Sequence, residues 1–204
     1  MIVSAQRPLA TGRARMKAAQ GLLYCVAFGL VLSLAGCEHV KLLRPSVLKQ
    51  LDTDVAALVN ELPELDHGNK AIIARLFPHG GLTRAKLGDD GVMRSEIRVP
   101  KHEMIWKPAI VVMPREGTLQ LDIDNEDEAH HMAFMPSDGE RQLLDLPAKV
   151  RGRVTVHLSQ PGLYWFGCPV ANHAGRGMLG LVIVKGEVPE SARLDRPKQL
   201  RPGD

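Results

Sequence analysis

One stretch constrains this chain more than any other: Tyr164-Trp165-Phe166-Gly167-Cys168-Pro169-Val170-Ala171-Asn172-His173-Ala174-Gly175-Arg176-Gly177-Met178. It is entered from the strand-like run Arg153 to Leu158 and left by Leu179-Gly180-Leu181-Val182-Ile183-Val184. A thiolate, an imidazole and a thioether follow one another at Cys168, His173 and Met178, in steps of five residues. Donors of that softness on a loop between strands suit one metal ion held against the end of a sheet.

The set lacks one nitrogen. A trigonal blue-copper centre needs two His and one Cys in a plane with a weak axial Met. Upstream, His130-His131 ends another strand-like segment and supplies the missing imidazole. Neighbouring residues of a strand point oppositely, so His130, Met132 and Phe134 share one face, and His131 shares the other with Ala133 and Met135. The large apolar residues under His130 favour it as the ligand; the opposite register, with His131 as the alternative ligand, stays open. By the same rule Tyr164, Phe166 and Cys168 share a face, which places an aromatic floor below the cysteine.

From about Val92 the chain reads as short alternating runs between turns. The candidate strands are Met93–Val99, Ala109–Met113, Thr118–Asp124, His130–Met135, Val150–Leu158, Gly162–Cys168 and Gly180–Val184. No helix alternates with them, so the expectation is an all-β domain, a Greek-key β-sandwich or barrel over residues 92–186. Ahead of it, Leu48, Leu51, Val55, Leu58, Val59 and Leu62 recur at helical spacing from Pro45, with Ser46 as a cap. Asp66-His67-Gly68-Asn69 breaks that helix, and Lys70 to Phe77 forms a second short one before Pro78. Residues 37–91 therefore read as a helical spacer that either stands apart, caps the β domain or meets a partner. The stretch 187–204 reads as a mobile tail.

The amino terminus is an address. Met16-Lys17, the apolar run Leu22 to Leu32 and Ser33-Leu34-Ala35-Gly36-Cys37 make a secretory signal over residues 1–36, with Met16 a plausible start. Leu34-Ala35-Gly36-Cys37 resembles the bacterial lipobox, which implies lipidation at Cys37 and a membrane anchor of two acyl chains. The expected location is the bacterial cell envelope, facing the periplasm. The chain's net charge of +3 counts Arg7, Arg13, Arg15 and Lys17 of that segment; without those four, 22 basic face 23 acidic side chains. Nothing in that balance suggests nucleic acid. The three cysteines, Cys25, Cys37 and Cys168, suggest no disulfide framework.

Taken together, these residues resemble the cupredoxins, the plastocyanin-like type 1 blue copper family. Asn125-Glu126-Asp127-Glu128-Ala129-His130-His131-Met132-Ala133-Phe134 resembles the segment carrying the family's first histidine, which again selects His130 and sets His131 where the family commonly has Asn. Val154-Thr155-Val156-His157-Leu158, Pro161-Gly162-Leu163-Tyr164, Cys168, His173 and Gly177-Met178 resemble the family's carboxy-terminal half. The four-residue gaps on either side of His173 are most like those of rusticyanin. The resemblance implies one type 1 copper held by His130, Cys168, His173 and Met178. It also implies a supporting hydrogen-bond role for Asn125, or for His131 if that is not itself a ligand.

The implied activity is single-electron transfer with a redox protein such as a c-type cytochrome, a dehydrogenase or an oxidase. The alternative is a periplasmic copper delivery or storage protein. Multicopper enzymes of related fold pass electrons through a histidine beside the cysteine. Here Gly167 and Pro169 flank Cys168, so a carrier rather than an enzyme is expected. Blander readings belong beside these. A lone Cys is most often an inert buried thiol and a lone Met core filler. The acidic run Asp122, Asp124, Glu126, Asp127 and Glu128 reads as a solvated strand end before it reads as a docking face. His39, His67, His79, His102 and His157 read as surface residues.

Overall fold

The computed structural model describes residues 59, 60, 62 and 64–197. The signal segment, Cys37 and most of the helix expected from Pro45 lie outside them. Within them the apolar alternation resolves into strands β1 (Leu82–Arg84), β2 (Lys86–Leu87), β3 (Met93–Val99), β4 (Ile110–Met113), β5 (Gly117–Asn125), β6 (His131–Met135), β7 (Gln142–Leu146), β8 (Arg151–Leu158), β9 (Gly162–Gly167) and β10 (Leu179–Val184). They form a six-stranded sheet, β1-β4-β10-β9-β6-β7, and a four-stranded sheet, β2-β3-β5-β8. Both are mixed, since β3 runs parallel to β5 and β4 parallel to β10 while the other long pairs are antiparallel. The result is a Greek-key, cupredoxin-like β-sandwich preceded by the short helix α1 (His67–Gly80).

Alternation explains the four-stranded layer. Leu119, Leu121 and Ile123 of β5 and Val154, Val156 and Leu158 of β8 point into the sandwich, while Gln120, Asp122 and Asp124 face out. The six-stranded layer departs from this because it is buried on both faces, as the unbroken apolar run of β10 requires. Phe166, Val182 and Val184 line the space between the sheets. Leu163, Trp165, Leu181, Ile183, Ile110 and Val112 pack instead beneath Val59, Leu62, Ile73, Phe77 and Leu194.

That outer layer moves the boundaries expected from the sequence. The sandwich does not begin at residue 92, because β1 pairs with β4 and β2 with β3. Nor is α1 a free spacer: its buried Ile73 and Phe77 cover the sheet. The expected tail is likewise part of the domain as far as it is described. Leu194 is 4 % exposed, and its carbonyl accepts from Trp165 Nε1 at 2.7 Å. The Asp195 carboxylate accepts from Asp66 N and Asn69 Nδ2 at 3.0 and 2.9 Å, which ties the tail to the start of α1.

The ends of α1 follow from capping chemistry. Asp66 accepts from Asn69 N at 2.6 Å, so the stretch read as a helix breaker is the N-cap and first turn. Pro78 does not stop the helix; the turn closes when Gly81, at φ 78°, donates to Phe77 O at 2.9 Å. Strand β7 lacks an apolar alternation and escaped the sequence reading. Its burial is confined almost entirely to Leu146, and backbone pairing with β6 holds it.

Candidate metal centre

The loop after β9 is built by its own peptide bonds. His173 N donates to Val170 O at 2.8 Å, Ala174 N to Cys168 O at 2.9 Å and Met178 N to His173 O at 2.9 Å. Cys168 N donates back to Met178 O at 3.3 Å, which continues the β9–β10 ladder one step past the strand ends. A 3-10 turn, Val170–Asn172, carries Ala171 and Asn172 at positive φ, and Gly177 at φ 111° lets the chain re-enter β10. The five-residue steps between Cys168, His173 and Met178 thus become one compact turn.

Three side chains converge there. Cys168 Sγ lies 3.5 Å from His173 Nδ1 and 3.9 Å from His131 Nδ1. The two imidazole centroids are 5.1 Å apart. The three ligand atoms all lie within 4.8 Å of one another, the one such group of His, Cys, Asp or Glu among the described residues. First-row metals bind sulfur near ~2.3 Å and imidazole near ~2.0 Å. Trigonal to tetrahedral angles at one such ion would set sulfur and nitrogen roughly 3.5–3.7 Å apart. The observed pair of distances brackets that value, so the donors present fit a single metal ion. Cys168 and Met178 are 0 % exposed, His131 1 % and His173 8 %. Met178 belongs to the same buried core group as Cys168.

The first histidine is His131, and the sequence preference for His130 is corrected. Strand β6 turns His131, Ala133 and Met135 inward and leaves Phe134 37 % exposed, with the Arg141 guanidinium 5.0 Å above its ring. The larger apolar residues therefore lie on the outer face, because the inner face must leave room for the loop and for Phe166. His130 precedes the strand and sits in solvent, where Nε2 meets Asp145 Oδ1 at 2.5 Å. Parity was sound for β9: Phe166 and Cys168 face the inter-sheet core. Beneath them lies Trp106, fully buried with its ring 5.7 Å from that of Phe166, a floor residue absent from the sequence reading.

Asn125 does not reach the ligand loop. Its Nδ2 donates to the carbonyls of Ala129, Leu146 and Pro147 at 2.9, 3.0 and 2.9 Å, and its Oδ1 accepts from Asp127 N at 3.1 Å. It shapes the turn that leads into His131. That turn aims Asp127 Oδ2 at His131 Nε2, 3.2 Å away. The other oxygen, Oδ1, accepts from His102 N at 3.0 Å and Glu128 N at 2.8 Å. Three other acids of the run are paired: Asp122 with Arg153 through both oxygens, Glu126 with Arg98 and Glu128 with Lys101. His102 and His157 are exposed, as expected.

Electrostatics follow from this burial. Desolvation pushes the Cys168 thiol up, opposed by the N–H groups of Met132 and Val170; Met132 N stands 3.4 Å from the sulfur. Desolvation also lowers His173, helped by His131 and the Arg176 charge, so its imidazole is neutral and able to ligate at neutral pH. The His102 N–H leads the interactions that hold the Asp127 carboxyl down to about 2. Asp127 is therefore an anion.

The chain thus joins a cupredoxin-like fold to a buried His–His–Cys cluster whose donors could hold one metal ion. The chain belongs to the family described as PQQ-associated, whose profile matches residues 50–202 and so takes in helix, sandwich and tail. Among solved structures it is similar to an auracyanin from Roseiflexus castenholzii, at 16 % identity and a TM-score of 0.42 over 46 % of this chain and 97 % of that one. It is similar too to auracyanin A from Chloroflexus aurantiacus, at 16 % and 0.40 over 47 % and 100 %. The metal-binding domain of the Streptococcus pneumoniae D39 Cu(I)-exporting ATPase CopA matches at 13 % and 0.43 over 52 % and 98 %. At such values likeness says nothing of function, and none of these singles out rusticyanin. No curated protein matches the chain.

Proposed function

We propose that this chain is a type 1 (blue) copper electron-transfer protein. The observation that carries the reading is the placing of two imidazole Nδ1 atoms 3.5 and 3.9 Å from one buried cysteine sulfur. Bound there, copper would supply a one-electron couple between Cu(I) and Cu(II). The remaining work is done by the chain. His131 projects from a strand and Cys168 and His173 from a loop closed by its own hydrogen bonds, so their positions change little when the charge of the site changes. Met178, buried in the same core group as Cys168, would offer a thioether as a further donor, and Met132 N–H directs a dipole at the sulfur. Trp106 and Phe166 exclude water from below.

A carrier accounts for the site better than an enzyme or a delivery protein. Gly167 and Pro169 flank Cys168, so no neighbouring histidine leads electrons to a second metal. Ligands exposed by only 1 % and 8 % hold an ion rather than hand it on. The proposed partners are redox proteins such as a dehydrogenase, a c-type cytochrome or an oxidase, and the family description, PQQ-associated, is in keeping with a PQQ-containing one among them. The lipobox-like Leu34-Ala35-Gly36-Cys37 supports a lipid-anchored place in the cell envelope facing the periplasm. Among the described residues no helix is long and apolar enough to cross a membrane.

The test is the visible and EPR spectrum of the chain after addition of Cu(II), beside Cys168→Ala. An intense blue charge-transfer band with narrow copper hyperfine splitting, abolished by the substitution, is expected. A pale spectrum unaffected by Cys168→Ala refutes the reading. Colourless Cu(I) binding with quick loss to a chelator would favour delivery instead.

A further inference from the structure

Asp127 is a buried anion whose countercharge is missing. It is 8 % exposed, and among the described residues no Lys or Arg side chain pairs with its carboxylate. Buried carboxylates are ordinarily paired or turned toward a cation. Its partners are two peptide N–H groups and His131 Nε2, and the far side of the His131 ring presents Nδ1 to Cys168. The adjoining Glu126 and Glu128 are each matched by a basic side chain, so Asp127 differs from both of its immediate neighbours.

Resting on the copper reading above, we propose that Asp127 is a positioning and tuning residue that holds the His131 proton on Nε2 and biases the centre toward its more positive oxidation state. Three steps lead there. An acceptor at 3.2 Å from Nε2 keeps the proton on that nitrogen, so Nδ1 offers a lone pair to the cluster. A carboxylate accepting from a ligating imidazole raises that ligand's basicity, as a neutral carbonyl in the same place does far less. Its negative charge, little screened at this burial, favours the oxidised over the reduced ion. Asn125 is the support for this arrangement: four hydrogen bonds fix the turn 125–129, and with it the reach of Asp127. The site therefore joins an apolar floor, which favours the lower charge, to one buried anion that opposes it.

Asp127→Asn keeps the shape and one of the two acceptor oxygens but removes the charge. In the full chain the expected result is a site that remains blue, with Cu(II) affinity reduced ~10–100-fold and Cu(I) affinity reduced less. Each tenfold difference between the two losses raises the reduction potential by about 59 mV. Asp127→Glu, which keeps the charge, should recover the lower potential. Equal weakening of both states with an unmoved potential would mark a merely structural residue and overturn the proposal. A second measurement needs no variant: in the diamagnetic Cu(I) protein, nitrogen-15 NMR should show the His131 proton on Nε2, shifted downfield and slow to exchange. A proton found on Nδ1 overturns it as well. A wild-type chain without a blue band refutes the function and this inference together, whereas a blue wild type with an unmoved Asp127→Asn potential refutes this inference alone.

Discussion

At the scale of single residues, the adjacent pair His130-His131 is the sharpest contrast in the molecule. One imidazole is 1 % exposed and 3.9 Å from the cysteine sulfur; the other is half exposed and paired with Asp145. His131→Ala removes one of the three convergent donors, so copper affinity should fall by more than the ~10–100-fold that loss of an outer-shell partner costs. His130→Ala breaks only an exposed pair, which is worth little, and should leave the blue spectrum and affinity unchanged. Copper titration of both variants checks this, and a larger loss from His130→Ala would overturn the assignment of His131. The cysteine and the loop histidine were legible in the sequence because their spacing alone brings them to one turn. The choice between His130 and His131 was not, because side-chain size mimicked the inward face. Met132 and Phe134 looked like core, yet Ala133 and Met135 fill it.

Among the elements, the β9–β10 hairpin sets the precision of the site, for both strands are buried on both faces and their register delivers Cys168 opposite the re-entry at Met178. Gly180 stands opposite Phe166 in that register, and a Cβ built on it would lie 2.1 Å from Phe166 Cζ. The far end of the ring thus occupies the space over the glycine, with Trp106 packed against it. Gly180→Ala should push Phe166 off its rotamer and cost about 1–3 kcal/mol, the usual range for overpacking. Urea unfolding measures the loss, and a shifted blue band would show that the displaced ring disturbs Cys168. An unchanged midpoint would mean that Phe166 is free to move aside. The periods of β3, β5 and β8 could be read directly from alternation, since each has one face in water. Strand β7 and the short β1 and β2 could not, because their side chains are mostly exposed and only backbone pairing makes them strands.

For the whole molecule, the sandwich depends on residues outside the stretch that resembles a copper domain. The outer face of the six-stranded sheet is apolar from Ile110 to Trp165, and α1 with Leu194 covers it. A fragment of residues 92–186 would lose that cover along with β1 and β2. It should expose several large side chains at roughly 25 cal/mol for each Å² uncovered, and so bind hydrophobic dyes and aggregate. Thermal unfolding of the fragment beside the full chain is the measurement, and a cooperative transition at the same temperature would restore the view of residues 37–91 as a spacer. At this scale too belongs the pairing of the acidic run. Of the five acids that read as one solvated strand end, three enter ion pairs with bases from other segments, and Asp127 is drawn inward.

What the sequence alone determined is local: the alternating strands, the turn chemistry, the apolar β10, and the presence of a sulfur, a nitrogen and a thioether on one short loop. Each of these depends on periodicity or spacing within a few residues, and the backbone geometry of a strand or turn translates it directly. What the tertiary structure decided is relative: which histidine of a pair faces inward, which acid meets it, what lies over the outer sheet, and where the domain starts and stops. Those outcomes turn on contacts between segments far apart in the chain, 36 residues between Met132 and Cys168 and 29 between Trp165 and Leu194. Side-chain identity constrains such contacts only weakly. They are settled when the two sheets close on a common volume and every buried polar group must find its partner.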